Sequence, residues 1–100
     1  MPVFGTPFDG NNLDRKISKE ELIRTLRFSI AAELEAIQLY MQIVDVTTDQ
    51  IVKKVLTDIA NEERVHVGEF MRLLFHIEPK EQKFYEDGFR EVESIIKSKK

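Results

Sequence analysis

Between residues 18 and 97 the apolar positions recur in steps of three and four, the spacing that keeps side chains on one face of an α-helix. One series runs Leu22, Leu26, Ile30, Glu33, Ile37, Tyr40, Val44; a second runs Val52, Val55, Ile59, Glu63, His66, Phe70 and then Leu73 or Leu74. The punctuation agrees with two helices. In Ser18-Lys19-Glu20-Glu21 the serine hydroxyl can accept from the amide three residues on, while the glutamate reaches back to the serine amide, so helix one starts near residue 19. No Gly or Pro interrupts it before Asp45-Val46-Thr47-Thr48-Asp49, where Thr47 or Thr48 is the expected cap of helix two. Helix two runs to about Ile77 and is closed by Pro79, because the residue before a proline is pushed out of the helical region. A third, shorter helix is predicted from 80 to about 97, with Phe84, Tyr85, Phe89, Val92, Ile95 and Ile96 on one face and Gly88 weakening its middle. Residues 1–17 fall outside the pattern. Pro2, Pro7, Gly5 and Gly10 rule out a regular helix there and predict a flexible arm, leaving 18–98 as one helical domain.

Helix length carries a prediction about assembly. Two helices of about 28 residues are each roughly 42 Å long at 1.5 Å per residue, whereas a compact chain of this size has a radius of gyration near 13 Å, roughly. A two-helix hairpin leaves each apolar stripe covered on one side only, and one short third helix cannot cover the rest. No internal repeat supplies the missing helices, so the expected partner is a second copy of the chain.

Composition narrows the chemistry. No apolar run approaches the roughly 20 residues needed to cross a bilayer, and the start lacks the layout of a secretory signal, so the expected location is intracellular. The net charge of −3, with both signs interspersed, lacks the basic stripe of a nucleic-acid surface. Lys97, Lys99 and Lys100 read as a solvated helix end. With no cysteine, any metal must be held by carboxylate and imidazole.

Three ionisable residues interrupt the apolar stripes: Glu33 in the first, Glu63 and His66 in the second. A carboxylate taken out of water without a partner is costly, and a shared metal ion explains all three at once. Glu63 and His66 stand three residues apart, about 60° around the helix and one turn along it, so both side chains can reach one ion while Glu33 approaches from the facing helix. Glu-x-x-His alone is weak, since roughly one chain in ten of this length contains it by chance; its place in the stripe sharpens it. One Glu on one long helix and Glu-x-x-His on the next is half of the ligand set of a ferritin-like di-iron bundle. Pairing two chains about a two-fold axis completes that set with four glutamates and two histidines. Their four negative charges balance two divalent ions, so metal is expected to strengthen dimerisation. Oxygen-rich ligation with one imidazole per ion suits iron or manganese.

The segments Glu33-Leu34-Glu35-Ala36-Ile37-Gln38-Leu39-Tyr40 and Asn61-Glu62-Glu63-Arg64-Val65-His66 resemble the encapsulated ferritins, two-helix ferritin-like proteins housed inside encapsulin shells, and the resemblance covers most of residues 20 to 96. It implies an all-α fold: a long antiparallel hairpin plus a short C-terminal helix, completing a four-helix bundle only on dimerisation. It also implies a ring of such antiparallel dimers. The implied activity is that of a ferroxidase, with Fe(II) oxidised by dioxygen at a di-iron centre between subunits and the product stored as mineral in the lumen of an encapsulin shell in the cytoplasm. By the same resemblance Glu33, Glu63 and His66 are the iron ligands, Tyr40 is the tyrosine that backs them, and Glu35 is an outer acidic residue that guides iron inward. Two positions depart from the pattern: Ala32 replaces a second outer carboxylate and Leu39 a tryptophan beside the tyrosine, which alters the expected access route. Family members reach the shell through a C-terminal targeting peptide or by fusion to it. No clear targeting peptide follows Lys100, which leads to the expectation of a fragment of a longer fusion.

Other readings stand beside these. Glu35 lies about 200° from Glu33 around the helix, so a solvated face explains it nearly as well as a role in iron access. Glu62 reads as solvated, His76 as a cation favoured by the helix end, and Met41 and Met71 as core fillers. A non-catalytic assembly domain would use the three polar groups to fix register; a rubrerythrin-like peroxidase or a di-manganese protein would use similar ligands.

Overall fold

The computed structural model describes residues 15–99, so the expected arm lies outside the described residues except for its last three positions. Among the described residues there are three helices and no strand: α1, Lys19–Val46; α2, Gln50–Ile77; and α3, Pro79–Ser98. The start of α1 is built as its sequence predicts. The Glu21 amide donates to the Ser18 hydroxyl at 3.2 Å and the Ser18 amide donates to the Glu21 carboxylate at 2.9 Å. Arg15 adds a two-pronged ion pair to the same carboxylate, at 2.8 and 3.0 Å. These bonds, led by the Arg15 pair, hold the Glu21 carboxyl down to about 2.

The cap of α2 differs from expectation. Asp49, not Thr47 or Thr48, takes that place, its carboxylate accepting from the amides of Ile51 and Val52 at 2.9 and 3.1 Å. A charged acceptor at a helix start gains from the dipole as well as from the bonds, so it outcompetes a neighbouring hydroxyl. Pro79 does two jobs: α2 stops at Ile77, and one residue later the proline opens α3 at a position where its missing amide is not needed.

The core lies where the first turns of α1 meet the last turns of α2, which makes the hairpin antiparallel. Ile23, Leu26 and Leu74 are buried there, with Leu22, Ile30, Phe70, Phe75 and Ile77 packed around them. Farther along, Ile37 and Ala60 are buried. The predicted stripe of α1 holds, since none of its members is exposed. On α2 it rotates slightly. Leu74 is fully buried while Leu73 is about half exposed, and Val55 is exposed where Leu56 and Ala60 turn inward. Ala60 is fully buried, so this side of α2 faces the contact with α1.

The molecule is extended, 48 × 45 × 23 Å with a radius of gyration of 17.6 Å, against roughly 13 Å for a compact domain of this size. Residues 88–99 are all exposed, and Phe89, Val92, Ile95 and Ile96 with them. Leu34, Leu39, Val65 and Leu73 on the hairpin are also exposed. Among the described residues no helix is long and apolar enough to cross a membrane.

Candidate metal centre

Glu33 and Glu63 each sit near the middle of a 28-residue helix, and antiparallel pairing brings the two midpoints level. His66, one turn beyond Glu63, then turns its ring toward both carboxylates. Nδ1 of His66 lies 3.5 Å from Glu33 Oε2 and 3.6 Å from Glu63 Oε1. Ligand atoms from all three residues lie within 4.8 Å of one another, and this is the one such group of metal-ligating side chains among the described residues.

The distances discriminate between two kinds of contact. A nitrogen to oxygen separation of 3.5 Å is too long for a good hydrogen bond. Donors bound to one ion at about 2.1 Å each, with an angle of 90–110° between the bonds, stand roughly 3.0–3.4 Å apart. The two separations from His66, 3.5 and 3.6 Å, are within a few tenths of an ångström of the second arrangement. Burial points the same way: the Glu33 and Glu63 side chains retain only 22% and 18% of their accessible surface, whereas His66 retains 47%. Glu33 Oε2 is buried with no hydrogen-bond partner. Neither carboxylate is paired with a lysine or arginine among the described residues. Leaving a buried acceptor unmet costs about 1–3 kcal/mol, and more when it is charged. A cation at the trio removes that cost, so the donor set fits a divalent metal. Without cysteine it is a hard site of two carboxylates and one imidazole, suited to iron or manganese.

Three candidate donors on one side would not by themselves close a coordination shell. The exposed edge of His66 and the exposed residues around it leave the site open to the surface of the single chain. The other two residues singled out from the sequence are not brought into the group. Tyr40 is half-buried about two helical turns, roughly 10 Å, along α1 from Glu33. Glu35 is exposed. Ala32 and Leu39 are exposed as well, as are Glu62 and His76, and Met41 and Met71 are half-buried. One cluster was not foreseen: Arg27, Glu81 and Tyr85, which tie α1 to α3. Its local signal, a carboxylate four residues before a tyrosine, says nothing about the arginine 54 positions away.

Comparison with known proteins follows the same segment. Residues 10–87 match the EncFtn-like family. Over 84 residues the chain is 45% identical to a ferritin-like–encapsulin shell fusion protein of Pyrococcus furiosus, a match covering 84% of this chain and 24% of that one. It is 37% identical over 67 residues to an encapsulin nanocompartment cargo protein of Myxococcus xanthus, covering 67% of this chain and 52% of the other. The chain therefore spans between a quarter and about half of the length of these relatives. The fold superposes on the crystal structure of the encapsulated ferritin domain from Pyrococcus furiosus with a TM-score of 0.80 and 46% identity, covering 83% of this chain and 85% of that one. With the family match running through Glu33, Glu63 and His66 and the fold superposing over most of both chains, the chain belongs to the EncFtn-like family.

Proposed function

We propose that this chain is a ferroxidase that acts as encapsulin cargo, oxidising Fe(II) with dioxygen at a di-iron site formed between two copies. The observation that carries this reading is the buried, partnerless Glu33 carboxylate oxygen facing His66 and Glu63 on an open side of the hairpin. One chain supplies two carboxylates and one imidazole; two chains supply four and two, a charge of −4 that neutralises two divalent ions. The exposed Leu34, Leu39, Val65 and Leu73 give the hairpin apolar surface for an antiparallel partner.

Iron is here the substrate. Each Fe(II) gives up one electron, dioxygen takes them in pairs, and Fe(III) leaves as mineral precursor. The chain's own residues bind and hold: Glu33 and Glu63 supply charge from opposite helices, and His66, free at its exposed edge, can turn as the ion's charge rises. Tyr40 would back the site from two turns away, and Glu35 would draw cations toward it from outside. Three helices among the described residues do not build a storage shell, and the relatives' names point to the container, an encapsulin shell. The proposed location is the cytoplasm, inside that shell, and the proposed packing there is a ring of dimers.

The test is to add Fe(II) in air at one ion per chain and follow oxidation for the parent and for His66→Ala, against iron in buffer alone. The expected result is oxidation well above buffer for the parent and near buffer for the variant. If the parent oxidises no faster than buffer while remaining dimeric or larger, the polar trio serves assembly and not catalysis.

A further inference from the structure

The route from α2 to α3 is one residue long. Glu78 is the only position between Ile77 and Pro79, with φ −132° and ψ 85°, a hinge outside the helical region. Its amide closes α2 on the Leu74 carbonyl at 2.8 Å, and its carboxylate accepts from the Lys80 amide at 3.3 Å. Neither bond fixes the direction in which α3 leaves, because both lie within the turn itself. Beyond residue 87 every described side chain of α3 is exposed, so nothing along its distal half fixes that direction either. Only the first two turns of α3 are held.

The hold is specific. Arg27 on α1 grips Glu81 on α3 through two hydrogen bonds, from Nε at 2.8 Å and from Nη2 at 2.9 Å. The Tyr85 hydroxyl donates to the same carboxylate at 2.6 Å, and the Tyr85 ring meets Phe75 of α2 edge to face with centroids 5.4 Å apart. The Glu81 side chain is only 13% exposed, so this two-pronged pair is better shielded than most surface ion pairs. All three helices meet at this point, which lies at the opposite end of the core from the loop between α1 and α2.

The geometry points to Glu81 as a positioning residue: the Arg27–Glu81–Tyr85 clamp sets the angle of α3 on a hinge that does not set it by itself. Leverage makes this matter. A 20-residue helix is about 30 Å long, so a 10° swing at its root moves its tip by roughly 5 Å. Ile95 and Ile96, near that tip, are exposed, so the clamp decides where this apolar end of the molecule stands relative to the hairpin. Its importance for assembly rests on the pairing reading above, but the angle is a property of one chain and does not depend on whether iron is oxidised.

The chain has no cysteine, which permits a direct test. Spin labels placed at Lys54→Cys on α2 and Ser94→Cys on α3, in labelled chains diluted into unlabelled protein, report the distance across the elbow. The parent is expected to give one narrow distribution. Glu81→Gln and Arg27→Gln are each expected to broaden or shift it by several ångströms, with helical content by circular dichroism unchanged. If a variant loses helical content, the other decides. A narrow, unshifted distribution in a folded variant overturns the proposal, as does an already broad one in the parent.

Discussion

At the residue scale the proposed metal centre makes a prediction with two opposite signs. Glu33 holds a buried carboxylate oxygen without a partner, beside Glu63 and His66. In a chelator, Glu33→Gln removes a buried charge that only a cation satisfies, so it should raise thermal stability, by about 1–3 kcal/mol. With metal added, the parent should gain stability through binding and the variant should gain little. The same pair of melting curves, with and without chelator, reads both signs; a variant less stable than the parent in chelator would mean that the carboxylate is already satisfied. Glu33, Glu63 and His66 were legible in the sequence because each breaks an apolar stripe. Tyr40 and Glu35 were not separable in that way: a half-buried tyrosine and an exposed glutamate on a helix fit ordinary packing and solvation, and only the family pattern singles them out.

Glu21 supplies a pH dependence. Its carboxyl is held at about 2 by Arg15 and the Ser18 amide, against an ordinary value of 4.5, so the folded state favours the ionised form. Its contribution to stability is therefore complete above about 4.5 and is lost as pH falls toward about 2. Glu81, lowered by Arg27 and then by Tyr85, acts with the same sign. In urea unfolding at a series of pH values, Glu21→Gln should be less stable than the parent above 4.5 and converge on it near 2. A constant difference across that window would assign its effect to packing and not to charge.

At the element scale, helix existence and ends were readable because local rules decide them: a capping box at Ser18, a proline at 79, unbroken three- and four-residue steps between. The errors lie where competition between neighbours or contacts across helices decides. Asp49 displaced two threonines as a cap because it brings charge. The buried side of α2 is turned toward Leu56, Ala60 and Leu74, and a rule that ranks bulky apolar residues passes over the small Ala60. The core at the open end of the hairpin is small, so each member counts. Leu74→Ala should cost about 2–5 kcal/mol in chemical denaturation, since a fully buried leucine leaves a cavity behind. Val55→Ala, on an exposed position of the same helix, should cost well under about 1 kcal/mol in the single chain. A larger loss at Val55 than at Leu74 would mean that the surface a partner covers matters more to stability than the core of one chain.

At the scale of the whole molecule, shape and chemistry point to the same incompleteness. An extended chain with exposed apolar side chains along the hairpin and α3 carries Glu33, Glu63 and His66 together on an open side, half of the ligand set proposed for the di-iron site. Helix lengths alone anticipated the extended shape, because 28-residue helices cannot fold into a globule of this mass. The direction of α3 was not readable, since it depends on an arginine and a glutamate 54 residues apart. The central claim is that the metal site and the pairing of chains are one event. Native mass spectrometry of metal-stripped and Fe(II)-loaded protein under anaerobic conditions, across a dilution series, tests it directly. The account predicts iron only in species with an even number of chains, at one ion per chain, and a shift toward those species on loading. Iron retained by single chains at equal occupancy, or the same distribution of masses with and without metal, would contradict it.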